Sequence, residues 1–162
     1  MKFFTVMIDE NEVNRIASSI AKAFRSGNKL MVAGNGGSAA DAQHFVAELV
    51  CTYNDHNRKG FPAICLNSNV SVITAWSNDY GYDGVFARQI EALGHKGDIF
   101  IGITTSGKSK NILRAKEMAR KMHIKTILIT GKTFKKKDTP RVQEHTICLI
   151  HEVCDSVERM MK

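Results

Sequence analysis

The sequence predicts an α/β fold, a three-layer α/β/α sandwich with a central parallel sheet that is doubly wound and flavodoxin-like. Two observations lead to this prediction. Short apolar runs alternate along the chain with longer segments whose apolar residues recur every three or four positions, the pattern of strands alternating with helices. The chain also has 162 residues, enough for a single domain with a substantial core.

The elements follow in chain order. A helix is predicted over residues 9–26, because Asp9 and Glu12 have capping-box spacing and Gly27 follows the apolar period; we expect it to be a scaffold for oligomerisation. The predicted strands are 29–33, 62–66, 98–103 and 125–130. Five further helices are predicted, with a turn at 78–81. One begins at Ser38, two span 70–76 and 85–93, one runs from the end of 104–109 to about Met122, and one begins at Thr139.

The charge of the chain favours an anionic small ligand. Its formal net charge is +7 at pH 7. Nucleic acid would also suit this charge, but we interpret the densest basic run, 132–137, as a solvated loop. The few aromatic residues are not interleaved with basic ones, so we expect no nucleic-acid partner.

Cysteine usage and hydropathy predict a cytoplasmic protein. The four cysteines form no C-x-x-C pair and no disulfide rhythm, which is typical of reduced thiols. No apolar run approaches the length of a membrane span, and residues 1–7 are too short for a signal peptide. We therefore expect no membrane partner.

A glycine-rich turn between the first strand and the second helix predicts an anion site. The segment Gly34-Asn-Gly-Gly-Ser38 can adopt positive φ, and Ser38 with Asp41 has capping-box spacing. Free backbone N–H groups and the positive end of the helix dipole would converge there. Such a site suits a phosphate group.

The same helix carries a candidate metal or proton-transfer site. His44 and Glu48 are four residues apart and share a face, with Asp41 on the same side. An imidazole and a carboxylate at this spacing can bind one divalent metal, and the carboxylate can serve as a general base. A plain surface pair remains the alternative.

A second loop offers a competing phosphate site. Residues 102–109 match the P-loop pattern G-x-x-x-x-G-K-[ST] between a strand and a helix, which would indicate a nucleotide-binding protein. None of the other predicted strands ends in the Asp that such a protein needs for Mg²⁺. The loop is rich in hydroxyls, so one small phosphorylated ligand contacting both loops is the simpler interpretation.

The final helix places two more polar residues near an apolar face. Gln143 and His151 are eight residues apart and diverge by about 80° around the helix. A metal would satisfy both, through an amide oxygen and an imidazole nitrogen. Two ordinary helix residues with hydrogen-bond partners remain the alternative.

Taken together, the motifs resemble those of the phosphoheptose isomerases, which have the SIS (sugar isomerase) fold. The resemblance lies in 34–48, 78–81, 86–94, 102–109 and 139–144 and extends over nearly everything from Lys29 onward. It implies a single SIS domain over 1–162 and an aldose–ketose isomerase. The reaction would convert sedoheptulose 7-phosphate to D-glycero-D-manno-heptose 7-phosphate, for nucleotide-heptose synthesis toward bacterial lipopolysaccharide or capsule.

The resemblance also implies site residues and an assembly. It implies one Zn²⁺ per subunit, a homotetramer, and active sites between subunits. The implied metal ligands are His44, Glu48, Gln143 and His151, with Glu48 and His151 as the acid–base pair. The implied substrate contacts are Asn35, Gly36, Gly37, Ser38, Glu48, Asn78, Asp79, Thr104, Thr105, Ser106, Ser109 and Gln143.

Two regions depart from the family pattern. At the N-terminal end the family has a longer helical lead-in. Between Thr130 and Thr139 the chain is much shorter than in the family, which has another strand there. A noncatalytic SIS protein, either a relative that binds the bacterial replication initiator or a sugar-phosphate sensor, is the alternative function. The initiator-binding relative lacks the metal-site histidine of the last helix, so His151 favours the enzyme.

Overall fold

The centre of the protein is a four-stranded parallel sheet. The structure, a computed structural model, describes residues 8–136 and 138–162. Strand β1 (Leu30–Gly34) lies between β2 (Ala63–Cys65) and β3 (Ile99–Ile103), and β4 (Lys125–Ile129) follows β3 at the edge. All three strand pairs are parallel. The order β2-β1-β3-β4 confirms the predicted doubly wound sheet.

Six helices connect and cover these strands within the described residues. Their bounds are α1 Glu10–Arg25, α2 Gly37–Val50, α3 Val70–Tyr80, α4 Val85–Leu93, α5 Lys110–Lys121 and α6 Thr139–Met161, with a 3₁₀ turn at Tyr82–Gly84. None of them is both long and apolar enough to cross a membrane. Two parts of the sequence discussed above lie outside the described residues. They are residues 1–7, which are too short for a signal peptide, and Lys137 of the predicted basic loop.

The sheet divides the interior into two apolar layers. Alternate residues of β1 point to opposite faces, so Leu30 and Val32 join one layer and Met31 and Ala33 the other. The first layer is closed by α1, α2 and α6, and the second mainly by α4 and α5. Both β1 and β3 are buried at every residue, so the loops at their carboxyl ends have rigid supports.

Helix α1 packs its apolar face within the chain. Asp9 is the N-cap and accepts a hydrogen bond from the backbone N–H of Asn11, and Gly27 has a φ of +76°, so both predicted helix ends are confirmed. The full capping box is wrong, because Glu12 pairs with Arg15 instead. The buried face contacts α6.

Two local predictions are wrong for the same reason. Helix α2 begins at Gly37 rather than Ser38, and its N-cap Gly36, with a φ of +56°, makes no side-chain capping bond. Helix α3 continues through the predicted turn and ends only before Gly81, whose φ is +85°. In both places the helix boundary falls at a glycine that can adopt positive φ, rather than at a polar side chain.

The connection after β4 is short. Residues 131–135 form turns, and α6 begins at Thr139. Within the described residues, no strand follows β4, so this strand forms one edge of the sheet.

Candidate active site

Three side chains from α2 and α6 meet where the two helices pack together. The Nε2 atoms of His44 and His151 are 3.0 Å apart, and His44 Nε2 lies 3.3 Å from Glu48 Oε1. One ligand atom from each of the three residues lies within 4.8 Å of the others. Ligands bound at about 2 Å to a tetrahedral ion are separated by about 3.3 Å, so these spacings suit one small cation.

The chemistry of these donors also fits a divalent metal. Two imidazole nitrogens that face each other need a shared proton or a cation between them. Imidazole nitrogen and carboxylate oxygen are both ligands that Zn²⁺ accepts. The side chain of His44 is 42% exposed and that of Glu48 is 23% exposed, so a small molecule can reach the cluster from solvent.

Gln143, the other predicted metal ligand, lies against the start of α2. A Cβ added to Gly37 would clash with Gln143 Nε2, so the absence of a side chain at Gly37 makes room for this amide. Gly37 is about two turns before His44 on the same helix. Coordination by Gln143 therefore stays a prediction.

Aromatic and sulfur neighbours surround His151. The ring of Tyr53 stacks on it, with 5.6 Å between centroids and an interplanar angle of 27°. Cys154 is buried nearby on α6, and burial, followed by the charges of Glu48 and Glu158, raises the pKa of its thiol well above the usual range. The Cys154 thiol therefore stays protonated at neutral pH.

Asp41 has a different environment from the one its spacing predicted. It caps no N–H group of α2, so the predicted capping box with Ser38 is wrong. Its Oδ2 atom is buried and has no hydrogen-bond partner among the described residues. Burial raises the pKa of Asp41 to about 6, although the nearby His44 lowers it in part.

The two predicted phosphate loops lie side by side. Gly34 at the end of β1 is paired in register with Ile103 at the end of β3. Asn35 and Asn111 exchange side-chain amide hydrogen bonds of 2.9 and 2.8 Å, and Tyr82 Oη donates to Asn35 Oδ1 at 2.9 Å. The prediction that the two loops share one edge of the sheet is confirmed.

A second amide supports the glycine turn from the neighbouring strand. The side chain of Asn67 accepts a hydrogen bond from Gly34 N at 3.0 Å and donates to Gly34 O at 2.9 Å. No motif in the sequence pointed to Asn67, Tyr82 or Asn111 as supporting residues. Only the position of Asn67 directly after a strand was available as a signal.

The hydroxyl loop precedes the N-terminus of α5. Thr104 Oγ1 and Ser109 Oγ are 2.8 Å apart, and Ser106 Oγ accepts from Lys108 N at 3.1 Å. Thr104 is buried, whereas Thr105, Ser106 and Ser109 reach the surface to different degrees. Free N–H groups at the start of α5 add to these hydroxyls as donors for an anion.

Asn78 and Asp79 lie near the C-terminal end of α3. Both are exposed on α3, and Asn78 Nδ2 donates to Asp79 Oδ1 at 2.8 Å. Asp79 lines a cavity of about 590 Å³ together with Trp76 and Arg88, and the lining of this cavity includes none of the cluster residues. Their contact with substrate therefore stays a prediction.

Comparison with known proteins defines the class. A family model described as the SIS domain matches residues 5–131. A phosphoheptose isomerase of Helicobacter pylori is 50% identical over 144 residues, covering 81% of this chain and 74% of the relative. The structure of a phosphoheptose isomerase from Francisella tularensis superposes with a TM-score of 0.88 at 33% identity, covering 92% of this chain and 86% of that one.

The chain therefore belongs to the phosphoheptose isomerase family of SIS-domain proteins. A Geobacter phosphoheptose isomerase is 45% identical over 160 positions that cover 91% of this chain and 83% of the relative. Since 91% of 162 residues is about 147, about 13 of those 160 positions have no counterpart in this chain. This difference is consistent with the short connection after β4.

Proposed function

We propose that the chain is an aldose–ketose isomerase that converts sedoheptulose 7-phosphate to D-glycero-D-manno-heptose 7-phosphate. The observation that carries the proposal is the cluster of His44, Glu48 and His151, which stands beside two phosphate-type loops in a chain related to phosphoheptose isomerases. Under this proposal the match of residues 102–109 to the P-loop pattern has no functional meaning.

The cluster residues supply the proton transfers. Glu48 would move a proton between C1 and C2 of the sugar, through an enediol, and His151 would protonate and deprotonate the oxygen beside it. His44, Glu48, Gln143 and His151 would hold a Zn²⁺ ion, which supplies polarisation of the carbonyl and hydroxyl oxygens when bound. The 3.3 Å contact of His44 with Glu48 orients the carboxylate.

The two loops orient the substrate. Thr104, Thr105, Ser106 and Ser109 would bind the phosphate at the start of α5, far from the reacting carbons. The turn 35–38, with Asn78 and Asp79, would contact the sugar. The net charge of +7 supports binding of an anionic substrate.

The proposal extends to assembly and cellular role. The chain would form one SIS domain over 1–162, with one Zn²⁺ per subunit, in a cytoplasmic homotetramer with active sites between subunits. Support comes from α3, which buries none of its residues yet exposes Val70 and Tyr80 by 69% and 70%, an apolar surface that a partner subunit would cover. The product would feed nucleotide-heptose synthesis for lipopolysaccharide or capsule.

Turnover of sedoheptulose 7-phosphate tests the function. The product is followed by NMR with and without a chelator, and we expect an aldoheptose phosphate that ceases on chelation and returns with Zn²⁺. Glu48→Gln should lower turnover on the order of a thousandfold. Glu152→Gln, which removes an exposed charge next to His151, is the matched control and should remain active.

Two outcomes would contradict the proposal. Folded, zinc-loaded protein without turnover would favour a noncatalytic sugar-phosphate or protein-binding role. Mg²⁺-dependent nucleotide binding would favour the P-loop interpretation of residues 102–109.

A further inference from the structure

A buried carboxylate on α6 organises the loop that follows α2. Glu158 lies about two turns beyond His151, and its side chain is 3% exposed. Its two oxygens accept hydrogen bonds from the backbone N–H groups of 53–55 at 2.9 to 3.0 Å and from Arg58 Nε at 2.5 Å. Four donors therefore converge on one carboxylate.

The partner of Glu158 reaches the end of α2. Arg58 donates through Nη2 to the carbonyl oxygen of Glu48 at 2.6 Å and through Nη1 to that of Leu49 at 2.9 Å. These carbonyls belong to the last turn of α2, where no following helical N–H is available. The guanidinium also lies 4.2 Å from the ring centroid of Phe61, and its side chain is only 8% exposed.

Both residues of this ion pair are connected to residues of the cluster. Arg58 holds the main chain of Glu48, and Glu158 stands on the helix that carries His151. Glu158 also fixes the backbone of Tyr53, whose ring stacks on His151. A buried ion pair is weak support for stability in itself, because desolvation offsets most of the attraction. Its contacts point instead to the geometry of the site.

We propose that Glu158 and Arg58 form a positioning pair that fixes the last turn of α2 against α6 and thereby sets the spacing between the Glu48 carboxylate and the His151 ring. The inference rests on the proposed function. Neither residue touches the substrate or the metal in this scheme. They act through Glu48 and Tyr53, as outer groups commonly do around metal ligands.

A second buried ion pair provides a matched control. Asp98, which is also nearly fully buried, accepts from Lys29 Nζ at 2.6 Å and from the backbone N–H groups of Lys29 and His95 at 2.9 and 2.7 Å. This pair lies at the amino ends of β1 and β3, opposite the loops that bear the site. Its loss should cost stability without altering the cluster.

The experiment compares Glu158→Gln with Asp98→Asn in the full chain. Zinc affinity is measured by competition with a chelator, and the visible absorption of bound Co²⁺ reports ligand geometry. For Glu158→Gln we expect zinc affinity and kcat each to fall 10- to 100-fold with KM within about twofold, and the Co²⁺ spectrum to change. Asp98→Asn should lower Tm only. Equal effects of the two variants on metal and kcat would overturn the inference.

Arg58→Lys covers the case in which Glu158→Gln does not fold. Lysine keeps the positive charge, but a single nitrogen cannot serve Glu158 and both α2 carbonyls at once. We expect the same change in Co²⁺ spectrum and zinc affinity, and unchanged values would overturn the inference. If the wild-type protein binds zinc and turns over the substrate, and the variants do so equally well, only the positioning pair is refuted. Wild-type protein that binds no zinc refutes the proposed function and the inference with it.

Discussion

Helices α2 and α6 pack against each other, and each carries an acidic side chain with a buried carboxylate oxygen. The two side chains differ in whether their buried oxygens have hydrogen-bond partners. Glu158 accepts four hydrogen bonds, and although burial alone would raise its pKa, the bonds from Arg58 and the backbone amides of 53–55 hold the pKa at about 2. Asp41 has a buried oxygen without a partner among the residues described, and burial raises its pKa to about 6.

The difference indicates which of the two groups is structural. A fully hydrogen-bonded carboxylate is stabilised as the anion and fixes the chain around it. A buried oxygen without a partner costs stability, and such costs persist mainly where a site uses the group. Asp41 is one turn before His44 on α2, whereas Glu158 is about two turns beyond His151 on α6.

The largest effect is expected from removing one ligand of the cluster of His44, Glu48 and His151. His44→Ala should lower turnover on the order of a thousandfold and abolish the rise in Tm on adding Zn²⁺, because one of three clustered ligands is lost. The fold should persist, since the side chain is 42% exposed. Turnover and thermal unfolding with and without zinc check this. His56→Ala, at an exposed histidine, should behave as wild type.

The next effect isolates Glu158. Its folded pKa of about 2 lies below the ordinary 4.5, so the unfolded state binds more protons between these values. The stabilisation, about 3 kcal/mol, is complete above about pH 4.5 and is lost as pH falls toward 2. Urea unfolding at stepped pH should show this acid loss in wild type and not in Glu158→Gln. An equal slope in both would contradict the assignment, and Glu117→Gln, at an exposed position, is the control.

Asp41 should give a smaller effect of opposite sign. In zinc-free protein its folded pKa of about 6 lies above the ordinary 3.8, so the folded state binds more protons between them. Stability from this group is complete below 3.8 and is lost as pH rises through about 6. Asp41→Asn should therefore raise the free energy of unfolding at pH 7 by about 1 kcal/mol, after allowance for partial exposure. Urea titrations in which Asp41→Asn is less stable than wild type would contradict this prediction. Asp83→Asn, at an exposed position, is the control.

The smallest effect concerns the glycine turn. Tyr82→Phe removes one hydrogen bond to Asn35, and Tyr82 is 45% exposed. The free energy of unfolding should fall by less than about 1 kcal/mol, because water replaces the lost partner. Chemical denaturation measures this change. A loss above about 2 kcal/mol would mean that Tyr82 supports more than the Asn35 side chain.

The strands and helices could be predicted from the sequence because the patterns that indicate them lie within short segments. The alternation of apolar runs and amphipathic segments predicted all four strands found in the described part of the chain, and their parallel arrangement. It also predicted that 34–38 and 104–109 share an edge, since both follow parallel strands. The same local signals misplaced the start of α2 and the end of α3, where glycine conformation outweighed polar side chains.

Contacts distant in sequence could not be predicted in the same way. Arg58 and Glu158 are 100 residues apart, and Asn35 and Asn111 are 76 apart. Nothing in the residues themselves indicates their partners, because an isolated charge or amide is usually solvated. The burial of Asp41 was equally hidden, since its spacing from Ser38 matched an ordinary helix cap.

The packing of α1 against α6 has a consequence for synthesis on the ribosome. Residues 8–129 supply the whole sheet, yet the apolar face of α1 and one layer of the core remain open until 139–161 have emerged. Until then Val13, Ile16 and Ile20 lack the α6 side chains that pack against them in the folded protein. His151 and Glu158 also lie on this helix, so the cluster with His44 and Glu48 is complete only after residues 139–161 have emerged.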